Sequence, residues 1–131
     1  MHNDSSSHGF FSWNELLTSD LEAAKKFYGD LLGWTFKESK TIYGDTYLTA
    51  FKDGRMAAGM MIKPADTPDH IKGCWDPYIT ADDVEAAAEQ VEETGGKVML
   101  PPTKIEGVGR FCVIQDPQGI YLNLITYDQE D

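Results

Sequence analysis

Trp13–Asn14–Glu15–Leu16–Leu17–Thr18–Ser19–Asp20 returns, 62 positions on, as Trp75–Asp76–Pro77–Tyr78–Ile79–Thr80–Ala81–Asp82. In both stretches an apolar run that opens on a tryptophan closes on a threonine and, two residues later, an aspartate. One residue slips in and the echo continues: Glu22–Ala23–Ala24 comes back as Glu85–Ala86–Ala87, Gly33 as Gly96 and Asp53 as Asp116, with Gly54 and Gly119 close behind. A chain that repeats itself in this way builds one unit twice, and each candidate residue in one copy has a counterpart in the other.

Around these anchors the pattern predicts strand, helix and three strands in each half. Residues 10–17 read as a strand. Ser19–Asp20–Leu21–Glu22 reads as a capping box, with the serine hydroxyl expected on the open amides of the helix start. Leu21, Ala24, Phe27, Tyr28, Leu31 and Leu32 recur at helical spacing until Gly33. Trp34–Glu38 and Thr46–Phe51 alternate as strands, Asp53–Gly54 marks a tight turn, and Arg55–Ile62 follows as a strand. The second half gives a strand at 75–80, a capping box at Asp82–Asp83–Val84–Glu85, and a helix with Val84, Ala87, Ala88 and Val91 inward. A strand at 97–100, a loop at Pro101–Pro102–Thr103–Lys104, a strand at 108–115, a turn at Asp116–Gly119 and a last strand at 120–127 complete it.

The expected organisation is a disordered polar tail (1–9), a first βαβββ module (10–62), a linker rich in proline and aspartate (63–73), a second βαβββ module (74–127) and a charged tail (128–131). Several strands with only two helices predict an α+β fold. The two tandem modules would form a curved mixed sheet around a cleft, with the helices on its outer face; such a cleft is a natural small-molecule site.

The totals narrow the partners. Twenty-two acidic against 11 basic residues give a net charge of −11 over 131 residues, which repels phosphate backbones and anionic lipid heads. Nucleic acid and membrane are therefore excluded as expected partners, and a cationic small molecule is compatible. Two cysteines do not make a disulfide framework. No apolar run approaches the roughly 18 residues of a spanning helix, and the polar start has no signal-peptide character. The expected setting is a reducing cytoplasm.

The repeated order, with Thr18–Ser19–Asp20, Phe27–Tyr28, Leu31–Leu32–Gly33–Trp34, Gly109–Arg110–Phe111 and Asp116–Pro117–Gln118–Gly119, resembles the vicinal oxygen chelate superfamily: glyoxalase I, bleomycin-resistance proteins and extradiol dioxygenases. Trp13–Glu15–Leu16 makes it most similar to small proteins related to lactoylglutathione lyase. The resemblance implies a fold of paired βαβββ modules, a small-molecule ligand and frequent homodimers. It also implies four metal-ligand positions, which fall on Trp13, about Ala58, Asp76 and Asn123. An indole and a methyl group do not ligate a divalent ion and an amide is a weak donor, so only Asp76 is of ordinary strength. No cofactor is expected, and the metal-dependent lyase and dioxygenase reactions are disfavoured.

Strand alternation then proposes a pocket. Trp13, Tyr78 and Tyr121, with Phe11, would supply aromatic walls; Asp76 and Asn123 would supply polar contacts. With Phe111 and Val113 assigned to the core, Arg110 and Cys112 would face the cleft. Glu15 stands in an apolar strand, where an unpaired carboxylate is costly. Either it pairs with Arg110, the expected arrangement for a buried charge, or it is a general base with Arg110 as an electrostatic anchor. Asp76 reads more readily as a solvated strand-start carboxylate, Trp75 as packing, and both thiols as buried. An enzyme acting on a small oxygenated or carbonyl metabolite, by proton abstraction, isomerisation or lyase chemistry, is the expected function; a sequestering protein is the alternative.

Overall fold

A computed structural model describes residues 7–41, 43–68 and 70–128. The disorder expected of residues 1–6 and the charged tail at 129–131 lie outside the described residues. The elements run β1 (Phe11–Thr18), α1 (Leu21–Leu32), β2 (Thr35–Lys40), β3 (Thr46–Lys52), β4 (Arg55–Ile62), β5 (Gly73–Thr80), α2 (Val84–Glu93), β6 (Lys97–Ile105), β7 (Gly109–Gln115) and β8 (Tyr121–Tyr127). The fold is α+β. Its eight strands follow the order β2-β3-β4-β1-β5-β8-β7-β6, with β1–β4 and β5–β8 parallel and the other registered pairs antiparallel. No helix among the described residues is long and apolar enough to cross a membrane.

Two compact units divide the chain, one of residues 14–76 and a discontinuous one of residues 1–13 with 77–131; the divisions fall inside β1 and β5. In the 14–76 unit, Leu16, Leu21, Leu48 and Met60 form the buried core, flanked by Ala24, Tyr28, Trp34 and Phe36. Helix α1 covers this core with the row Leu21, Ala24 and Tyr28. Phe27, Leu31 and Leu32, which share the helical spacing, stay exposed. The helix is capped by Asp20, whose Oδ1 accepts from the Ala23 amide at 3.0 Å; the cap is the residue after Ser19, since Asp20 takes the extended backbone of a cap. Asp53 (φ 52°) and Gly54 (φ 77°) both adopt positive φ, which joins β3 to β4 by a two-residue turn of the kind that matches strand twist.

The discontinuous unit repeats these solutions. Asp83, not Asp82, caps α2, accepting from the amides of Glu85 and Ala86. Val84 and Val91 are the buried residues of α2. Strand β6 does not end at Leu100: it continues through Pro101 and Pro102 to Ile105, with register shifts at Val98/Leu100 and Leu100/Thr103. β6 lies last in the sheet order, and an edge strand tolerates residues that cannot donate to a ladder. The expected polar tail is tied down at its end, where the Gly9 amide donates to Thr80 O at 2.8 Å and His8 Nδ1 accepts from the Asp82 amide at 2.9 Å.

Candidate functional site

Leu16 belongs to the core under α1, so its strand neighbour Glu15 points to the opposite, helix-free face of the 14–76 unit. Glu15 is nevertheless only 9% exposed. Its Oε2 accepts a hydrogen bond of 2.8 Å from the hydroxyl of Tyr47. The two residues sit on β1 and β3, with β4 between them. Glu15 pairs with Gly59 on β4, Gly59 with Thr49 on β3, and Tyr47 stands two residues before Thr49. The phenol crosses β4 directly over Gly59: a Cβ built there would lie 1.7 Å from the Tyr47 hydroxyl and 2.4 Å from Cζ. Neither Tyr47 nor Gly59 was singled out by the sequence, because only strand register brings them to Glu15.

The pairing expected between Glu15 and Arg110 is corrected: each has a partner inside its own unit. Arg110 Nη2 donates to a carboxylate oxygen of Glu85 in the first turn of α2 and, at 3.4 Å, to Pro102 O. The face assigned to β7 is corrected with it. Arg110, Cys112 and their register partners Thr126 and Leu124 lie on the side covered by α2, whereas Phe111 and Val113 lie on the helix-free side with Ile125 and Asn123. Cys112 is fully buried, and burial, helped by the nearby Glu85 charge, pushes its thiol up to about 11. Cys74 is exposed rather than buried; partial desolvation first, then the Asp76 charge, raises its thiol.

On the helix-free face of the discontinuous unit, Tyr78 and Asn123 are register partners, 6% and 2% exposed. Asn123 Nδ2 donates to Pro77 O at 3.2 Å, so part of its hydrogen-bonding capacity serves the fold. Tyr78 and Phe111 have ring centroids 6.1 Å apart, and Tyr121 on the same strand face as Asn123 is exposed. Trp13 is half-buried in this unit, and Phe11 is exposed. In the 14–76 unit Asp76 is half-buried. Trp75 packs against Tyr28 and Trp34, centroids 5.6 and 6.4 Å away, and its indole donates to the Tyr28 hydroxyl. That is the packing role expected of it.

Of the four positions that the resemblance assigns to metal ligands, Asp76 carries a carboxylate. Trp13 offers an indole and Asn123 an amide whose Nδ2 donates to Pro77 O, and Ala58 turns to the buried core side of β4, 2% exposed beside the side-chain-free Gly59. Among the described residues there is no group of three or more His, Cys, Asp or Glu placed to hold an ion.

The family model for the Glyoxalase/Bleomycin resistance protein/Dioxygenase superfamily matches residues 11–124. CFP32 of Mycobacterium bovis, which carries a glyoxylase name, is 36% identical over 114 residues, covering 86% of this chain and 44% of CFP32. The anthracycline biosynthesis protein DnrV of Streptomyces peucetius is 31% identical over 119 residues, covering 82% of this chain and 43% of DnrV. The chain thus spans less than half the length of either relative. In fold it is similar to methylmalonyl-CoA epimerase from Mycobacterium tuberculosis, with a TM-score of 0.69 at 18% identity over 98% of this chain and 94% of that one.

Proposed function

The chain belongs to the Glyoxalase/Bleomycin resistance protein/Dioxygenase superfamily, and from that membership we propose an enzyme that removes a proton from the carbon beside a carbonyl group, with Glu15 as the general base. The observation that carries this reading is a carboxylate 9% exposed on a sheet face without a helix, accepting a hydrogen bond from a phenol. An apolar side chain would serve packing there at less cost. In the reaction the Glu15 carboxylate takes the proton while the C–H electron pair moves into the carbonyl to form an enolate. Return of the proton to the other face, or to the adjoining carbon, gives the epimer or isomer. The proposal uses no metal. Arg110 has no part in it, being committed to Glu85 on the helix-covered face. The two free thiols suit the reducing cytoplasm that we propose as the setting.

The test is solvent deuterium wash-in followed by proton NMR, with methylmalonyl-CoA and a 2-hydroxy ketone as probes of the two carbonyl classes. Wild type should exchange the proton beside the carbonyl of one probe, and Glu15→Gln should lose exchange while still binding that probe. Exchange by Glu15→Gln at the wild-type rate refutes the assignment. A second reading, a non-catalytic binder, is favoured by half-buried Phe111 and exposed Tyr121 on one face of the discontinuous unit, a surface suited to stacking a flat ligand. Tight stoichiometric binding of a cationic aromatic dye, without exchange of either probe, would support it.

A further inference from the structure

We propose that Tyr47 is a positioning residue that fixes the direction of the Glu15 carboxylate, and that Gly59 is the opening in β4 that makes this possible. The inference rests on the reading of Glu15 as the base and adds the group that aims it. Glu15 and Tyr47 lie on strands separated by a third, a span of roughly 9–10 Å at ordinary strand spacing. A tyrosine reaches across that distance only by lying flat over the middle strand, and any side chain at position 59 would occupy the same space. The bare Gly59 backbone and the 2.8 Å hydrogen bond are therefore two parts of one arrangement.

A glutamate has three rotatable side-chain bonds, and a base delivers its rate only when its oxygen is held in line with the proton it takes. One directed O–H donor on Oε2 fixes the carboxylate plane. Tyr47 does not touch the reacting atoms in this role. Its hydroxyl directs the carboxylate oxygen and takes no part in the proton transfer.

Tyr47→Phe keeps the ring over Gly59 and removes only the donor. In wild-type protein the two γ-methylene protons of Glu15, assigned by through-bond correlation to its own amide, should have well-separated NMR shifts, as a fixed side chain requires. In Tyr47→Phe they should draw together as the carboxylate averages over rotamers, with amide shifts beyond the site unchanged. A splitting unchanged in Tyr47→Phe overturns the proposal, since other contacts would then fix Glu15. This arm needs no substrate, so it decides the role of Tyr47 even if Glu15→Gln proves that Glu15 is not the base. With a probe that wild type exchanges, Tyr47→Phe should lower kcat about ten- to a hundredfold with KM unchanged. A change in KM alone contradicts the proposal.

Discussion

Replacing Gly59 by alanine tests the geometry around Glu15 without reference to any reaction. Gly59 does not have positive φ, so the backbone itself accepts alanine, and in a strand alanine is worth about 0.5–1 kcal/mol over glycine. The new Cβ would, however, fall 1.7 Å from the Tyr47 hydroxyl. The phenol is the movable partner and must swing away, which breaks its 2.8 Å hydrogen bond to Glu15. A hydrogen bond to a charged group is worth about 1.5–3 kcal/mol, so Gly59→Ala should lose about 1–2 kcal/mol net. For a domain of this size that lowers Tm by roughly 4–8 °C. In a Tyr47→Ala background both the obstacle and the bond are already gone. The same Gly59→Ala change should then be neutral or stabilising by about 0.5–1 kcal/mol. Urea melts of the four proteins give the coupling energy, expected at about 1.5–3 kcal/mol. Additivity within about 0.5 kcal/mol would refute the crossing of Tyr47 over Gly59.

Cys112 binds its proton more tightly folded than unfolded, so its contribution is complete below its unfolded value of 9.0 and is lost as pH rises toward about 11. Urea melts at pH 8 and pH 11 should show the loss, smaller in Cys112→Ala, with burial of Tyr127 adding in the same direction. Iodoacetamide at pH 8 should label exposed Cys74 in the native protein and Cys112 only after denaturation, read by mass spectrometry. Arg110→Ala removes a half-exposed ion pair with Glu85; it should cost under about 1 kcal/mol and leave proton exchange unchanged. Gly109→Ala should be far worse, about 3 kcal/mol or more by the measure of strained backbone and broken pairing, because its Cβ would meet Thr126 O at 2.1 Å, a backbone atom of β8.

The duplication was legible because each half carries its own period, cap and turn. The caps were read one residue early in both halves for one reason: adjacent residues could each serve, and the extended backbone that selects Asp20 and Asp83 is set by how the strand enters the helix. Two prolines ended β6 on paper; its place at the sheet edge keeps it going. For the site, Glu15 was visible as a charge in an apolar strand. The β7 parity was not visible, since Phe111, Cys112, Val113 and Ile114 are apolar on both faces and alternation then has nothing to distinguish. Tyr47 was hidden more deeply, because its partner is set by the register of three strands and by what Gly59 lacks.

The boundaries of the two compact units, falling inside β1 and β5, carry a consequence for the order of assembly. On the ribosome the 14–76 unit has all of its residues once Asp76 has emerged, and its contacts join β1 to β4 over a short stretch of chain. The discontinuous unit begins earlier and finishes later: the segment ending at Trp13 waits until β8 is synthesised before its Ser12 can meet Tyr127. Pairings so distant in sequence are slow to close. The N-terminal end of β1 is thus completed only after β8 has been made, well after the rest of β1 has its partner in β4.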